Sequence, residues 1–168
     1  MTARILVAYA TAHGSTRQVA EAIATSLREQ GLEADVTRAH GAANLESYDA
    51  VVLGGALFMG RWHRDARHFL ERHRRLLGAV PLAVFAMGPA TMEQKAVAGS
   101  RGQLDHALAG VPEVRPVLVA IFGGVIDPTT LRFPLNRMKP SDARDWDAIR
   151  DWASEIADLV PVNLTVPA

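Results

Sequence analysis

Residues 5–16 read Ile5-Leu6-Val7-Ala8-Tyr9-Ala10-Thr11-Ala12-His13-Gly14-Ser15-Thr16. The run from Ile5 to Ala8 is continuously apolar and partly β-branched, the pattern of a strand covered on both faces, as in a parallel sheet. Behind it comes a turn rich in hydroxyls around one glycine. Val19, Ile23 and Leu27 then recur every four residues beside Ala20 and Ala24, the apolar stripe of a helix. Ser15 with Gln18 three residues on resembles a capping box, and Gly31 is placed to end the helix.

The same alternation continues along the chain. Ala50–Leu53, Leu82–Ala86 and Val117–Phe122 are further unbroken apolar runs, and the more polar Glu33–Arg38 suits an edge strand. Between and after them lie helical patterns. Asp65–Leu77 carries Ala66, Phe69, Leu70, Leu76 and Leu77. Ser100 and Gln103 can cap a short helix with Leu104, Ala107 and Leu108 that Gly110 ends. Ile149, Trp152, Ile156 and Leu159 stripe the last helix, which Pro161 must stop. Strict β/α alternation calls for a parallel sheet with right-handed crossovers and helices on both faces. Five strands fit either a flavodoxin-like or a Rossmann-half order, and periodicity does not choose between them.

Composition narrows the function classes. At 168 residues with 49% hydrophobic content, one domain with a sizeable core is expected: residues 1–160 as the domain and 161–168 as a tail. The sequence has no cysteine, which removes disulfides, thiol catalysis and thiolate metal sites. Eighteen basic residues balance eighteen acidic ones, so no global field draws the protein to nucleic acid. Met1-Thr2-Ala3-Arg4 has no secretory pattern and no apolar stretch reaches spanning length, so the expected location is the cytoplasm, without an integral membrane segment. His40, His68, His73 and His106 are not at metal-ligand spacing, and no metal site is expected.

In such a sheet, ligands sit outside the carboxyl ends of the strands. The turn Thr11-Ala12-His13-Gly14-Ser15-Thr16 offers three hydroxyls, one glycine and the free N–H groups of a helix start, a combination that suits a phosphate. It is neither a Gly-x-Gly-x-x-Gly fingerprint nor a P-loop. Nor does it form a serine nucleophile elbow.

Thr-x-x-Gly-x-Thr after the first strand resembles the FMN-phosphate loop of the flavodoxin family. Gly54-Gly55-Ala56-Leu57-Phe58-Met59-Gly60-Arg61-Trp62-His63 stands after the third strand, and Met87-Gly88-Pro89-Ala90-Thr91 after the fourth. Those are the places where that family lines the isoalloxazine ring. The spacing of Gly54, Gly60, Trp62 and His63, with Asp145-Trp146-Asp147-Ala148-Ile149, is similar to the menaquinone-dependent protoporphyrinogen dehydrogenase branch.

The resemblance implies an α/β flavodoxin-like fold with five parallel strands in the order 2-1-3-4-5. It also implies FMN as cofactor, with Thr11, Ala12, His13, Gly14, Ser15 and Thr16 on the phosphate. Ala56, Leu57, Phe58, Met59, Gly60 and Trp62, with Met87, Gly88, Pro89 and Ala90, would line the ring. Trp62 is the expected stacking residue, and His63 is a candidate proton donor. The chain departs from that branch between Gly123 and Ser141, a short polar segment with Pro128, Pro134 and Pro140 where the branch has a longer apolar insertion.

Two functions follow. One is an FMN-dependent oxidoreductase passing electrons from a small reduced substrate to an acceptor. The other is a flavodoxin-type electron carrier, whose usual acidity the balanced charge here does not match. A flavin-free interaction protein on the same fold is a third alternative. Six arginines against Asp65 and Glu71 between Arg61 and Arg75 read as a solvated helix face or as a rim favouring anionic substrates or an acidic redox partner. A homo-oligomer is compatible with the sequence, which does not identify the substrate, acceptor or potentials.

Overall fold

The computed structural model describes residues 2–161, so 162–168 of the expected tail lie outside the described residues. Its sheet is built on β1 (Arg4–Ala10), β2 (Glu33–Arg38), β3 (Ala50–Phe58), β5 (Leu82–Met87) and β6 (Leu118–Phe122), all parallel, in the order β2-β1-β3-β5-β6. The two-residue β4 (Arg61–Trp62) pairs antiparallel with the end of β3. With that hairpin strand set aside, the order is the flavodoxin-like 2-1-3-4-5 and not that of a Rossmann half.

Each central strand feeds two cores. Ile5, Val7 and Tyr9 of β1, with Phe85 and Met87 of β5, pack under α1 (Ser15–Glu29) and α5 (Trp146–Ala157). Leu6, Ala8 and Ala10, with Val84 and Ala86, face α2 (Arg64–Arg72), α3 (Arg74–Leu77) and α4 (Gln94–Ala109). Burial on both faces is why these runs show no alternation in the sequence. Phe85, Phe122 and Trp152 form a three-ring cluster beneath α5, with centroids 5.5–5.8 Å apart.

Several boundaries differ from the sequence reading. The expected loop from Gly54 begins only at Met59, because β3 runs on through Gly54 and Gly55 to Phe58. Those glycines let the strand continue between two large side chains. A Cβ on Gly54 would lie 1.9 Å from the Phe85 ring, and one on Gly55 would lie 2.6 Å from the Trp62 indole nitrogen. The hairpin closes through Met59 (φ 51°) and Gly60 (φ 78°), the paired positive angles of a type I′ turn.

Ser15 is not a cap. The chain enters α1 through left-handed Gly14 (φ 92°), which puts Ser15 inside the first turn and leaves the helix start without a side-chain cap. At the other end Gly31 performs as expected: its N–H donates to Arg28 and that of Leu32 to Leu27, a Schellman closure. The single helix expected over 65–77 breaks at His73, whose ring packs on Phe69 and bonds to the Ala42 carbonyl. The helix expected to start near Ser100 starts at Gln94, and Ser100 is buried within it.

Candidate functional site

The loops after β1, β3, β5 and β6 emerge side by side at the carboxyl edge of the sheet, and the backbone ties them together. The Leu57 side chain fills the space where Gly88 would carry a Cβ. Gly88 donates to Phe122, and Gly124 donates to Pro89 and accepts from Ala143. Arg144 then reaches Gln18 on α1, so the circle of loops closes on the helix that follows the first turn.

Thr11-Ala12-His13-Gly14-Ser15-Thr16 occupies the α1 side of this circle. The Gly14 N–H donates to Thr11 Oγ1 at 3.0 Å, and the left-handed glycine turns the backbone into the helix. The first-turn amides of α1 have no intrahelical acceptor, no capping side chain and no acidic neighbour in that turn. Thr16 is fully buried, and its Oγ1 has no hydrogen-bond partner among the described residues. A buried hydroxyl without a partner carries a desolvation cost of ~1–3 kcal/mol. Here it sits beside uncapped amides and an open glycine, an arrangement that an anionic oxygen group completes. Ala12 and His13 are exposed, while Thr11 and Ser15 are half-buried.

Across the circle, Ala56 and Leu57 are half-buried, and Phe58, Met59 and Gly60 are exposed on the hairpin. Trp62 does not have the exposed face expected of a stacking residue. It is 1% exposed in the core above α2, and its indole N–H donates to the Gly55 carbonyl at 3.0 Å. The period-2 reversal of the hairpin turns Trp62 inward and leaves Phe58, 54% exposed, as the surface aromatic. Phe58 lay within the sequence-read loop, but only the hairpin register distinguishes it from Trp62. From β5, Met87 and Pro89 are buried, whereas Gly88 and Ala90 are exposed.

His63 serves as the N-cap of α2: its Nδ1 accepts from the Asp65 N–H at 3.1 Å. Burial pulls its pKa below the ordinary histidine value, against the Asp65 carboxylate, which raises it. That contact engages Nδ1 at the helix start, and in the neutral ring it leaves the proton on Nε2.

The arginine run is divided. Arg61 and Arg64 stand by the hairpin, and Arg67 donates to the Trp62 carbonyl. Arg72, Arg74 and Arg75 line a groove of about 520 Å³ with Asn44 and Glu46, beyond the far end of α2, some 13 Å of helix away. Among the described residues no cluster of three or more His, Asp or Glu side chains could hold a metal ion, and no helix is long and apolar enough to cross a membrane.

A sequence model of the flavodoxin domain family matches residues 6–138, and the chain belongs to that family. Fold and family together define a flavodoxin-like protein with a redox or electron-transfer role. The chain is 26% identical to protoporphyrinogen IX dehydrogenase [quinone] of Escherichia coli K12, over 93% of its own length and 96% of the relative. That alignment spans 178 positions, more than the chain's 168 residues, so the relative has segments this chain lacks. Among solved structures, oxidised flavodoxin 1 from Bacillus cereus superposes with a TM-score of 0.63 at 18% identity, covering 95% of this chain and 100% of that one. Rubredoxin oxygen:oxidoreductase from Desulfovibrio gigas superposes with a TM-score of 0.62 at 14% identity, covering 92% of this chain and 35% of that one.

Proposed function

We propose that the chain is an FMN-dependent oxidoreductase that takes electrons from a small reduced substrate and passes them to an acceptor. The observation that carries this reading is the buried, unpartnered Thr16 hydroxyl beside the uncapped start of α1. Thr11, Gly14, Ser15 and Thr16 would hold the phosphate through hydroxyls and backbone amides. The Phe58–Met59 hairpin and the Gly88–Ala90 loop would flank the ring, with Phe58 as the aromatic wall in place of Trp62. When bound, FMN supplies the hydride and electron chemistry, and the protein supplies orientation and shielding. The extent of the likeness to a protoporphyrinogen dehydrogenase supports an enzyme. The short segment 123–141 and the 26% identity give no support for carrying over its porphyrin or quinone.

The test is selective flavin binding followed by turnover. Purified protein is expected to yield FMN as its extracted chromophore. The apo-protein should bind riboflavin, which lacks the phosphate, at least about a hundredfold more weakly than FMN, because several charge-assisted bonds worth ~1.5–3 kcal/mol each are lost. Equal affinity for both would remove the phosphate site. Catalytic reduction of a quinone by a small donor would mark an enzyme. Flavin reduction without turnover would instead support the second reading, a flavodoxin-type carrier, which the flavodoxin structural neighbours favour.

A further inference from the structure

The segment between β6 and α5 is neither inert nor simply polar. It opens at Gly123, where a Cβ would collide with the Ala143 carbonyl at 2.0 Å, and is pinned by β7 (Val125–Ile126) pairing with β8 (Ser141–Asp142). The excursion between them, residues 127–140, contains Arg132, Arg137 and Lys139 against a single acidic residue, Asp127 at its start. It exposes Phe133 by 70% and Met138 by 43%, and Arg137 lies over the Phe133 ring at 5.2 Å.

The neighbouring loops repeat this chemistry. The hairpin exposes Phe58 and Met59 next to Arg61, and the β5 loop exposes Met92. Five of the six large apolar side chains exposed among the described residues therefore lie on this one circle of loops. Arg61, Arg132, Arg137 and Lys139 pair with no carboxylate among the described residues. Glu93 and Asp127 offset part of this local excess on the circle itself, and in a chain of zero net charge the exposed Asp147, Asp151, Glu155 and Asp158 of and just beyond α5 offset more of it elsewhere.

We propose that this circle is a docking surface for an acidic redox protein, with Phe58, Met59, Met92, Phe133 and Met138 as its apolar centre and Arg61, Arg132, Arg137 and Lys139 as its basic rim. The inference rests on the flavin reading above and names the partner class of the same site. An apolar centre ringed by unpaired cations is complementary to an apolar patch ringed by carboxylates. Three features favour a protein over an anionic bilayer. Three of the rim cations are arginines, whose planar fork matches carboxylates. Three of the five apolar groups are methionines, which adapt to protein surfaces. None of the five is the Trp or Tyr of interfacial belts, and the lobe offers only three-residue 3₁₀ turns where bilayer binding uses a long amphipathic helix.

The test uses the full-length FMN-bound protein and, as probe, an acidic [2Fe–2S] ferredoxin, with a basic cytochrome c of similar size as control. Binding is measured directly by calorimetry at low and high salt, and the FMN content of each sample is measured separately. Ferredoxin is expected to bind and cytochrome c not to bind, with affinity falling at least about tenfold at high salt. The triple variant Arg132→Glu, Arg137→Glu, Lys139→Glu should lose at least about tenfold in ferredoxin affinity while keeping its FMN. Should that variant not fold, the pair Phe133→Ser, Met138→Ser, both exposed, reads the same surface and should lose affinity with all charges kept. Absent ferredoxin binding, or binding indifferent to these variants, overturns the proposal. So does co-sedimentation with phosphatidylserine vesicles that these residues control, in the absence of ferredoxin binding. A protein that binds ferredoxin but holds no FMN retains the docking surface and sinks the flavin reading; one that holds FMN and ignores ferredoxin does the reverse.

Discussion

At the scale of single residues, burial assigns roles that residue type leaves open. Thr16 and Trp62 both looked like ligand residues in the sequence, and both are buried, with opposite meanings. Thr16 has a hydroxyl without a partner at the helix start. Thr16→Val should therefore weaken FMN by about one to two decades while leaving the apo-protein as stable or slightly more so, since the methyl removes an unsatisfied group. Flavin-fluorescence titration and apo melts check the two halves, and undiminished affinity would remove Thr16 from the phosphate site. Trp62 already donates to Gly55 and fills the core. Trp62→Ala should cost the apo-protein about 3–5 kcal/mol in urea unfolding. Phe58→Ala should spare apo stability and change the flavin spectrum. His63 brings a pH dependence. Its folded pKa is lowered by burial, so the unfolded chain binds more protons, and the stability it contributes is present above the unfolded value of ~6.5 and lost as pH falls through the folded value. His73, lowered by burial as well, acts in the same direction. The fall in melting temperature on acidification across that window should shrink in His63→Ala; an unchanged slope would show that the cap does not titrate.

At the scale of elements, the parallel strands were legible because burial on both faces writes itself as unbroken apolar runs. The polar edge strand β2 was legible for the complementary reason. What the sequence hid were features set by partners distant in the chain. The extension of β3 through Gly54 and Gly55 depends on the Phe85 ring and the Trp62 indole, which lie 31 and 7 residues away, and no local propensity announces it. The break at His73 depends on the Ala42 carbonyl. Ser100 and Gln103 read as the cap of a shorter helix, whereas α4 runs on from Gln94 through Ser100 and through Gly99 and Gly102 despite their weak helix propensity. Gly54→Ala tests the strand most sharply. A methyl 1.9 Å from a ring that is itself fully buried forces backbone or ring to move, and the expected loss is about 1–3 kcal/mol or more. Gly102→Ala on exposed α4, where a Cβ meets nothing within 4 Å, should instead gain up to about 1 kcal/mol. Urea unfolding of the two variants should move in opposite directions, and a neutral Gly54→Ala would mean that the ring yields freely.

Over the whole molecule, the candidate site was legible as a set of loops but not as a surface. Reading each turn after its strand singled out the candidate phosphate loop, yet the basic and apolar character of the circle became visible only when four separated segments met at one edge. The arginine run shows the converse: a stretch continuous in sequence is split between two ends of α2, with only its first members near the site. The lobe bears on more than docking. Its two ends meet at β7 and β8 and are locked where Gly123 passes the Ala143 carbonyl, so the sheet registers only that the chain leaves and returns at one point. Lengthening such a closed excursion is cheap, roughly 0.6 kcal/mol for each doubling of its length. The lobe is thus an exchangeable cassette: a longer segment grafted between Ile126 and Ser141 should leave the flavodoxin core nearly as stable as before.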